Sequence, residues 1–164
     1  MKKLLVSLAL LVGSSAFAGN EGPQAAPDQP QVIARVVVGS FFVPPGRPVS
    51  TSVTISTAGA VVRTDSWMDG RSKTVAVATL SPEITAKLVK ASAAVQPGEL
   101  VDPNPSEPSC QDAPSTTYYA VKNQEIAIGA RQGCKDLYKE NSSDADMLLK
   151  SALEAALNLS YLAK

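Results

Sequence analysis

The stretch from Cys110 to Cys134, CQDAPSTTYYAVKNQEIAIGARQGC, decides the fold of the C-terminal half of the chain. Its two ends are the only cysteines in the sequence. Between them lie two runs with the composition of β-strands, 116–122 and 125–131. Asn123 at the join is a favoured first residue of a tight turn, but it is not followed by Gly, so a slightly longer loop stays open as an alternative.

A two-residue loop would fix the register of this hairpin. Val121 would then lie opposite Ile126, and Tyr119 opposite Ile128, with all four side chains on one face. The other face would carry a mixed set: Tyr118, Ala120, Lys122, Glu125, Ala127 and Gly129. One apolar face and one mixed face are typical of an antiparallel pair that packs against a core on one side.

The two cysteines bracket the hairpin, and we interpret them as a structural disulfide at its base. In the chain-entropy model, closing a loop of this length stabilises the fold by about 3.5 kcal/mol, less any strain. A redox-active pair is the alternative, but the C-x-x-C spacing of such pairs is absent from the sequence.

The N-terminus has the pattern of a secretory signal peptide, residues 1–18. Lys2 and Lys3 form a basic start, a short apolar run follows, and Ala16-Phe17-Ala18 predicts cleavage after Ala18. We therefore expect a periplasmic or secreted protein, in a compartment that allows a disulfide. The mature chain, 19–164, would have no membrane span, because the apolar run is too short and is removed.

Cleavage removes two of the 15 basic residues and none of the 15 acidic ones, which leaves a net charge of −2. This balance gives no reason to expect nucleic acid as a partner. Residues 19–30 have no hydrophobic period and are expected to be a disordered leader. The remainder, 31–164, is the right size for a single domain.

The first half of this domain alternates strand-forming runs with turns. Strands are expected at 31–43, 49–57, 60–67 and 73–80. The Pro-rich segment 44–48 forces the first turn, because proline cannot donate to a ladder, and Gly59 and Gly70 mark the next two. Short connections between successive strands predict an antiparallel meander.

Two helices complete the predicted fold. Ser81-Pro82-Glu83 opens the first, and Ser143 with Asp146 resembles a capping box that opens the second. The buried stripe of the first is expected to be Ile84, Leu88, Ala91 and Val95. That of the second is expected to be Leu149, Ala152, Leu153, Ala156 and Leu157, widened by Leu148, Ala155, Leu159 and Leu162. The fold class is α+β: an antiparallel sheet, in the order ββββ-α-ββ-α, with both helices packed on one face and one disulfide.

The chain contains no histidine, which removes the usual general base and the usual zinc ligand. With both cysteines paired, no thiolate remains as a nucleophile or metal ligand. No phosphate-binding glycine motif is present. We therefore predict no catalytic residues, no metal and no cofactor.

Two segments remain as candidates for function. Phe41, Phe42 and Arg47 lie at a Pro-rich hairpin tip, where aromatic and Arg side chains on a rigid loop suit a binding surface; packing of both rings at the edge of the core is the alternative. The Pro-rich connection 99–115 carries four carboxylates, Glu99, Asp102, Glu107 and Asp112. Its alternate Asp102, Asn104 and Ser106 begin like a calcium loop, but the Gly and Glu that complete one are missing.

The order of motifs resembles that of small exported bacterial proteins of uncharacterised function. A strand-rich half runs into the Ser81-Pro82-Glu83 helix start, then a C-x-D-x-P element at Cys110, a returning Cys134 and a terminal helix. The resemblance covers about 31–164. It implies this fold and export, and no activity.

We expect a non-catalytic exported domain that binds another macromolecule, either a protein or a component of the cell envelope. A His-free enzyme that acts on saccharide through paired carboxylates is one alternative. A carrier that encloses a small ligand in an apolar cavity is another.

Overall fold

The computed structural model describes residues 30–40, 43–108, 110 and 113–163. Strands and helices follow the predicted order ββββ-α-ββ-α, with two further strands after the first helix. The α+β class with one antiparallel sheet is confirmed. The elements are β1 Val32–Gly39, β2 Ser50–Ser56, β3 Ala60–Ser66, β4 Ser72–Thr79, α1 Pro82–Ala94, β5 Leu100–Val101, β6 Ser115–Val121, β7 Glu125–Gln132, β8 Lys135–Lys139 and α2 Asp144–Ser160.

The eight strands lie in the order β4-β3-β2-β1-β6-β7-β8-β5. The sequence had left β5 within a loop and β8 as a linker of uncertain form. β8 pairs with β7 because Gly133 adopts a left-handed φ of 65°, which permits a tight turn. β5 then adds two residues to the outer side of β8.

The disulfide between Cys110 and Cys134 is confirmed. The chain from β5 to β6 must pass around the β7–β8 turn, and the disulfide holds it there. A Cβ atom on Gly133 would lie 2.5 Å from the carbonyl oxygen of Cys110, so only glycine allows this approach. The bridge therefore fastens a crossing loop to the turn of a second hairpin.

The predicted register of the β6–β7 hairpin is wrong. Val121 pairs with Glu125, and Tyr119 pairs with Ala127. A three-residue loop and an irregularity beside Tyr118 account for the shift. The buried side chains of the pair are therefore Tyr118, Ala120, Ile126, Ile128 and Ala130.

The core lies between the sheet and the two helices. In α1, Leu88 and Ala91 are buried as predicted, and so is Val95 just after it, but Ile84 is exposed and Thr85 takes its place. In α2, Leu149, Leu153 and Ala156 are buried. The predicted widening of that stripe is wrong for Leu148, Ala155, Leu159 and Leu162, which are exposed, since the sheet and α1 cover only one side of α2.

Both predicted helix starts are confirmed. Ser81 accepts a hydrogen bond from the backbone N–H of Ile84. Ser143 and Asp146 form a reciprocal capping box at the start of α2. The Asp146 carboxylate also accepts a hydrogen bond from the Lys139 ammonium at 2.7 Å, and both side chains are almost completely buried.

This buried ion pair joins three elements. Lys139 is the last residue of β8, and its ammonium also donates to the carbonyl oxygen of Gln96, just beyond α1. Burial alone would raise the pKa of Asp146, but hydrogen bonds from Lys139 and Ser143 outweigh it and lower that pKa. Every charged atom is thus satisfied, which a buried pair requires.

The signal peptide predicted at 1–18 and residues 19–29 of the predicted leader lie outside the described residues. Within the described ranges, no helix is both long enough and apolar enough to cross a membrane.

Replacing Asp146 with Asn should lower the free energy of unfolding by about 3 to 5 kcal/mol, because it leaves the buried Lys139 charge unpaired. Glu83→Gln, which breaks the exposed Lys87–Glu83 pair, should have a much smaller effect. Urea unfolding measures both, and equal effects would contradict the prediction.

Lowering the pH should reduce the free energy of unfolding of the wild type more than that of the Asp146→Asn variant. Because the pKa of Asp146 is lowered on folding, the contribution of the pair is present above the ordinary carboxyl pKa and is lost as pH falls through the lowered value. The stability difference between the two proteins should therefore narrow as the pH falls below the ordinary carboxyl pKa of about 4.

Removing the disulfide by Cys110→Ala with Cys134→Ala should lower the free energy of unfolding by about 3.5 kcal/mol. A thiol reductant added to the wild type should cause a similar loss and should not change the variant further. A variant as stable as the oxidised wild type would contradict this.

Candidate interaction surface

The predicted interaction residue Arg47 lies at the end of the sheet opposite α1. Because successive strands are antiparallel, the β1–β2 loop and the β3–β4 turn meet at this end. We call residues 43–49 and 67–71 together the loop-end surface. Between the two segments lies an open groove of about 320 Å³.

Trp67 joins the two halves of this surface. Its indole Nε1–H donates to the carbonyl oxygen of Gly46 at 3.2 Å, and the backbone N–H of Val49 donates to Ser66 at 2.8 Å. Gly46 adopts a φ of 83°, which the tight turn after the two prolines requires. The N–H of Arg47 closes that turn on the carbonyl oxygen of Pro44. These hydrogen bonds hold residues 43–49 against the β3–β4 turn.

The β3–β4 turn carries an internal ion pair. The Arg71 guanidinium contacts the Asp69 carboxylate at 2.7 Å and also lies 5.8 Å from the centre of the Trp67 ring. A hydrogen bond from the Arg71 backbone N–H, and then one from its guanidinium, hold the pKa of Asp69 below its ordinary value. The charge of Asp69 is thus neutralised within the turn.

Two basic groups remain available beside the turn. Arg47 is exposed, and among the described residues no carboxylate pairs with its guanidinium. Lys73, also exposed, follows Arg71 by two residues and likewise has no ionic partner in the part of the chain that the structure covers. The loop-end surface therefore has an excess of positive charge.

Met68 gives the same surface an apolar projection. It lies at the tip of the turn and is 86% exposed. A large apolar side chain exposed to this degree, next to Trp67 and two prolines, is typical of a contact surface. The surface thus combines rigid backbone, aromatic and apolar groups, and unpaired positive charge.

Sequence reasoning found only part of this surface. Arg47 was predicted, whereas Phe41 and Phe42 lie outside the described residues. Trp67, Met68 and Arg71 were missed, although Asp69-Gly70 marks a tight turn and therefore places its neighbours at an exposed tip. The predicted meander places the two loops at the same end of the sheet, but the hydrogen bond from Trp67 to Gly46 depends on the conformation of each loop, which the sequence did not predict.

Two of the loop carboxylates, Asp102 and Glu107, line one cavity of about 230 Å³ together with Asp136. Lys135 lies 2.7 Å from Asp102 and, with the backbone N–H of Asn104, lowers the pKa of that carboxyl. Glu99 and Glu107 are exposed, and Asp112 lies outside the described residues. In the described ranges no cluster of three or more His, Cys, Asp or Glu side chains could hold a metal ion.

A second set of charged side chains lies between α2 and the sheet. The Lys150 ammonium lies 5.1 Å from the centre of the Tyr118 ring and 2.7 Å from the Glu154 carboxylate. Arg131 binds Asp136 with two hydrogen bonds and lowers its pKa. A saccharide-cleaving enzyme needs one carboxyl whose pKa is raised, so an acid bound by arginine is unsuited to that role.

The groove of about 570 Å³ beside Leu80 and Val89 is apolar but open to solvent. It lies between the β2–β3 turn and α1, where Thr57 and Pro82 form part of its wall. An open groove does not enclose a ligand as a carrier requires.

Comparison with known proteins found no match among family models, curated proteins or solved structures.

Replacing Trp67 with Phe should loosen the β1–β2 loop, because it keeps an aromatic ring but removes the indole N–H that bonds to Gly46. The loss of about 1 kcal/mol corresponds to roughly fivefold faster hydrogen exchange of the Arg47 amide. Amide exchange followed by NMR measures this, with Tyr138→Phe as the control. Unchanged exchange at Arg47 would show that Trp67 does not hold the loop.

Proposed function

We propose that this chain is an exported, non-catalytic domain that binds a protein partner through the loop-end surface. The observation that carries the proposal is the exposed Met68 beside Trp67 and the unpaired Arg47, on two segments held together by hydrogen bonds. A surface that is ordered before binding loses little entropy on docking.

The charges of the surface point to the chemistry of the partner. Asp69 is neutralised by Arg71, so Arg47 is the charged group that a partner would meet. The complementary surface carries carboxylates around an apolar pocket that accepts Met68. Charge complementarity of this kind raises the association rate and makes binding sensitive to salt.

Export is supported by two observations. The N-terminal sequence has the order of a basic start, an apolar run and an Ala-x-Ala site. The disulfide joins a crossing loop to a hairpin turn, and such bonds persist in oxidising compartments. The partner is therefore expected in the cell envelope or the surrounding medium.

The non-catalytic part of the proposal is supported by the residue inventory and by the ion pairs. The chain has no histidine, and Asp102, Asp136 and Asp146 are each bound by a Lys or Arg side chain. Their pKa values are lowered, the opposite of what a general acid needs near neutral pH.

A photo-reactive amino acid placed at position 68 should capture the partner in the producing cells. The additional change Arg47→Glu should abolish capture, because it places a negative charge against the partner's carboxylates. Mass spectrometry of the captured product identifies the partner and also the N-terminus of the chain, expected at Gly19.

The matched control is the same photo-reactive group at Met147, a second exposed methionine, which lies in α2. It should capture little, and Lys90→Glu on α1 should leave capture at position 68 unchanged. Equal capture at both positions, or capture that survives Arg47→Glu, would contradict the proposed surface.

A further inference from the structure

The two edges of the sheet are built differently. β5, at one edge, is only two residues long. β4, at the other, runs for eight residues, from Ser72 to Thr79, and in the described part of the chain no strand pairs with its outer side. A long open edge presents a row of backbone N–H and C=O groups to any other strand.

The register of β3 and β4 shows which backbone groups point outward. The N–H of Trp67 bonds to the carbonyl oxygen of Arg71, so these two residues form a hydrogen-bonded pair. Hydrogen-bonded and non-bonded pairs alternate along an antiparallel ladder. Lys73 and Val75 therefore bond inward to Asp65 and Arg63, which leaves the backbone groups of Ser72, Thr74 and Ala76 pointing outward.

Little protects this edge from pairing. Its sequence, SKTVAVAT, contains one charge, at Lys73, and no proline. The one irregularity lies between Ala76 and Ala78, opposite Val61 and Val62, so the first five residues of the strand, Ser72 to Ala76, are regular. Natural edges are usually blocked by several such devices.

An exposed apolar cluster lies next to the middle of the same edge. The guanidinium of Arg63, the cross-strand neighbour of Val75, donates to the carbonyl oxygen of Ser160 at 2.5 Å. The C-terminal end of α2 thus lies beside Val75. Its last apolar side chains are 50%, 60% and 79% exposed: Leu159, Tyr161 and Leu162.

We propose that β4 is the interface of a homodimer in which two copies of the chain pair their edge strands antiparallel, about a two-fold axis at Val75. This register matches Thr74 of one copy with Ala76 of the other and ends at the irregularity between Ala76 and Ala78. It joins two sheets of eight strands into one continuous sheet.

A second copy of the chain fits this surface because the unpaired backbone groups of β4 and the exposed apolar side chains after α2 lie next to each other. The outward backbone groups of Thr74 and Ala76 bond to each other across the axis, and the Lys73 of each copy lies four residues from its counterpart along the paired strands. Above the axis, Tyr161 and Leu162 of each copy meet those of the other. The interface thus satisfies the backbone and covers the exposed apolar cluster in one contact.

The register can be tested with single cysteines. Two residues that face each other at a non-bonded pair have Cα atoms about 4.5 Å apart, a distance that a disulfide can bridge. Val75→Cys should therefore give a covalent dimer on mild oxidation of the full chain. Position 73 of one copy lies four residues from position 73 of the other along the paired strands. Lys73→Cys should therefore stay monomeric in the same assay on denaturing gels.

Charge exchange tests the same pairing without a cross-link. Thr74→Glu with Ala76→Glu places like charges opposite each other and should raise the dissociation constant roughly tenfold or more. Thr74→Lys with Ala76→Lys should do the same, and an equimolar mixture of the two variants should dimerise. Light scattering and sedimentation measure the mass of each sample.

The control is Thr74→Lys with Ala76→Glu, which carries as many new charges but pairs opposite signs across the axis. It should dimerise like the wild type. A monomeric wild type at high concentration would overturn the proposal, as would a dimer that forms no disulfide at position 75. If a strand of another protein covers this edge instead of a second copy, the purified chain should be monomeric, which is the first of these two results.

Discussion

The buried ion pair between Lys139 and Asp146 is the constraint on which the C-terminal half depends. Two charges out of water must satisfy each other and all their remaining hydrogen bonds. Here those bonds reach Gln96 after α1 and Ser143 at the start of α2, so one contact fixes where three elements meet. The direction of α2 across the sheet follows, because its first turn is held at β8 and its last at Arg63 of β3.

This placement divides the molecule into a covered end and an open end. The connections at the end of α1 are held by helix contacts: Ser92 donates to the carbonyl oxygens of Ile33 and Val121, and Lys122 to that of Val95. At the other end, the β1–β2 loop and the β3–β4 turn contact mainly each other. The loop-end surface therefore lies at the end of the sheet that neither described helix covers, and loops on a rigid scaffold are a common location for function.

The sequence predicted the strands and helices themselves better than it predicted which residues pair across them. Capping at Ser81 and Ser143 and the alternation in β2 depend on adjacent residues, so they could be read directly. The hairpin register failed at Tyr119 because a single extra residue in a loop or bulge exchanges the two faces of a strand. Of the candidate surface, Arg47 was predicted and Trp67 was not, because their contact depends on the conformation of each loop and not only on the pairing of β2 with β3.

By itself, the sequence determined the class of fold, the disulfide and the limits on chemistry. These follow from composition, local periodicity and the residues that are absent, above all histidine. Only the tertiary structure decided which strand is left at an open edge, which carboxylates are neutralised and which loops share one end of the sheet. Each of these depends on strand order, which is set by the summed burial of distant side chains rather than by any local pattern.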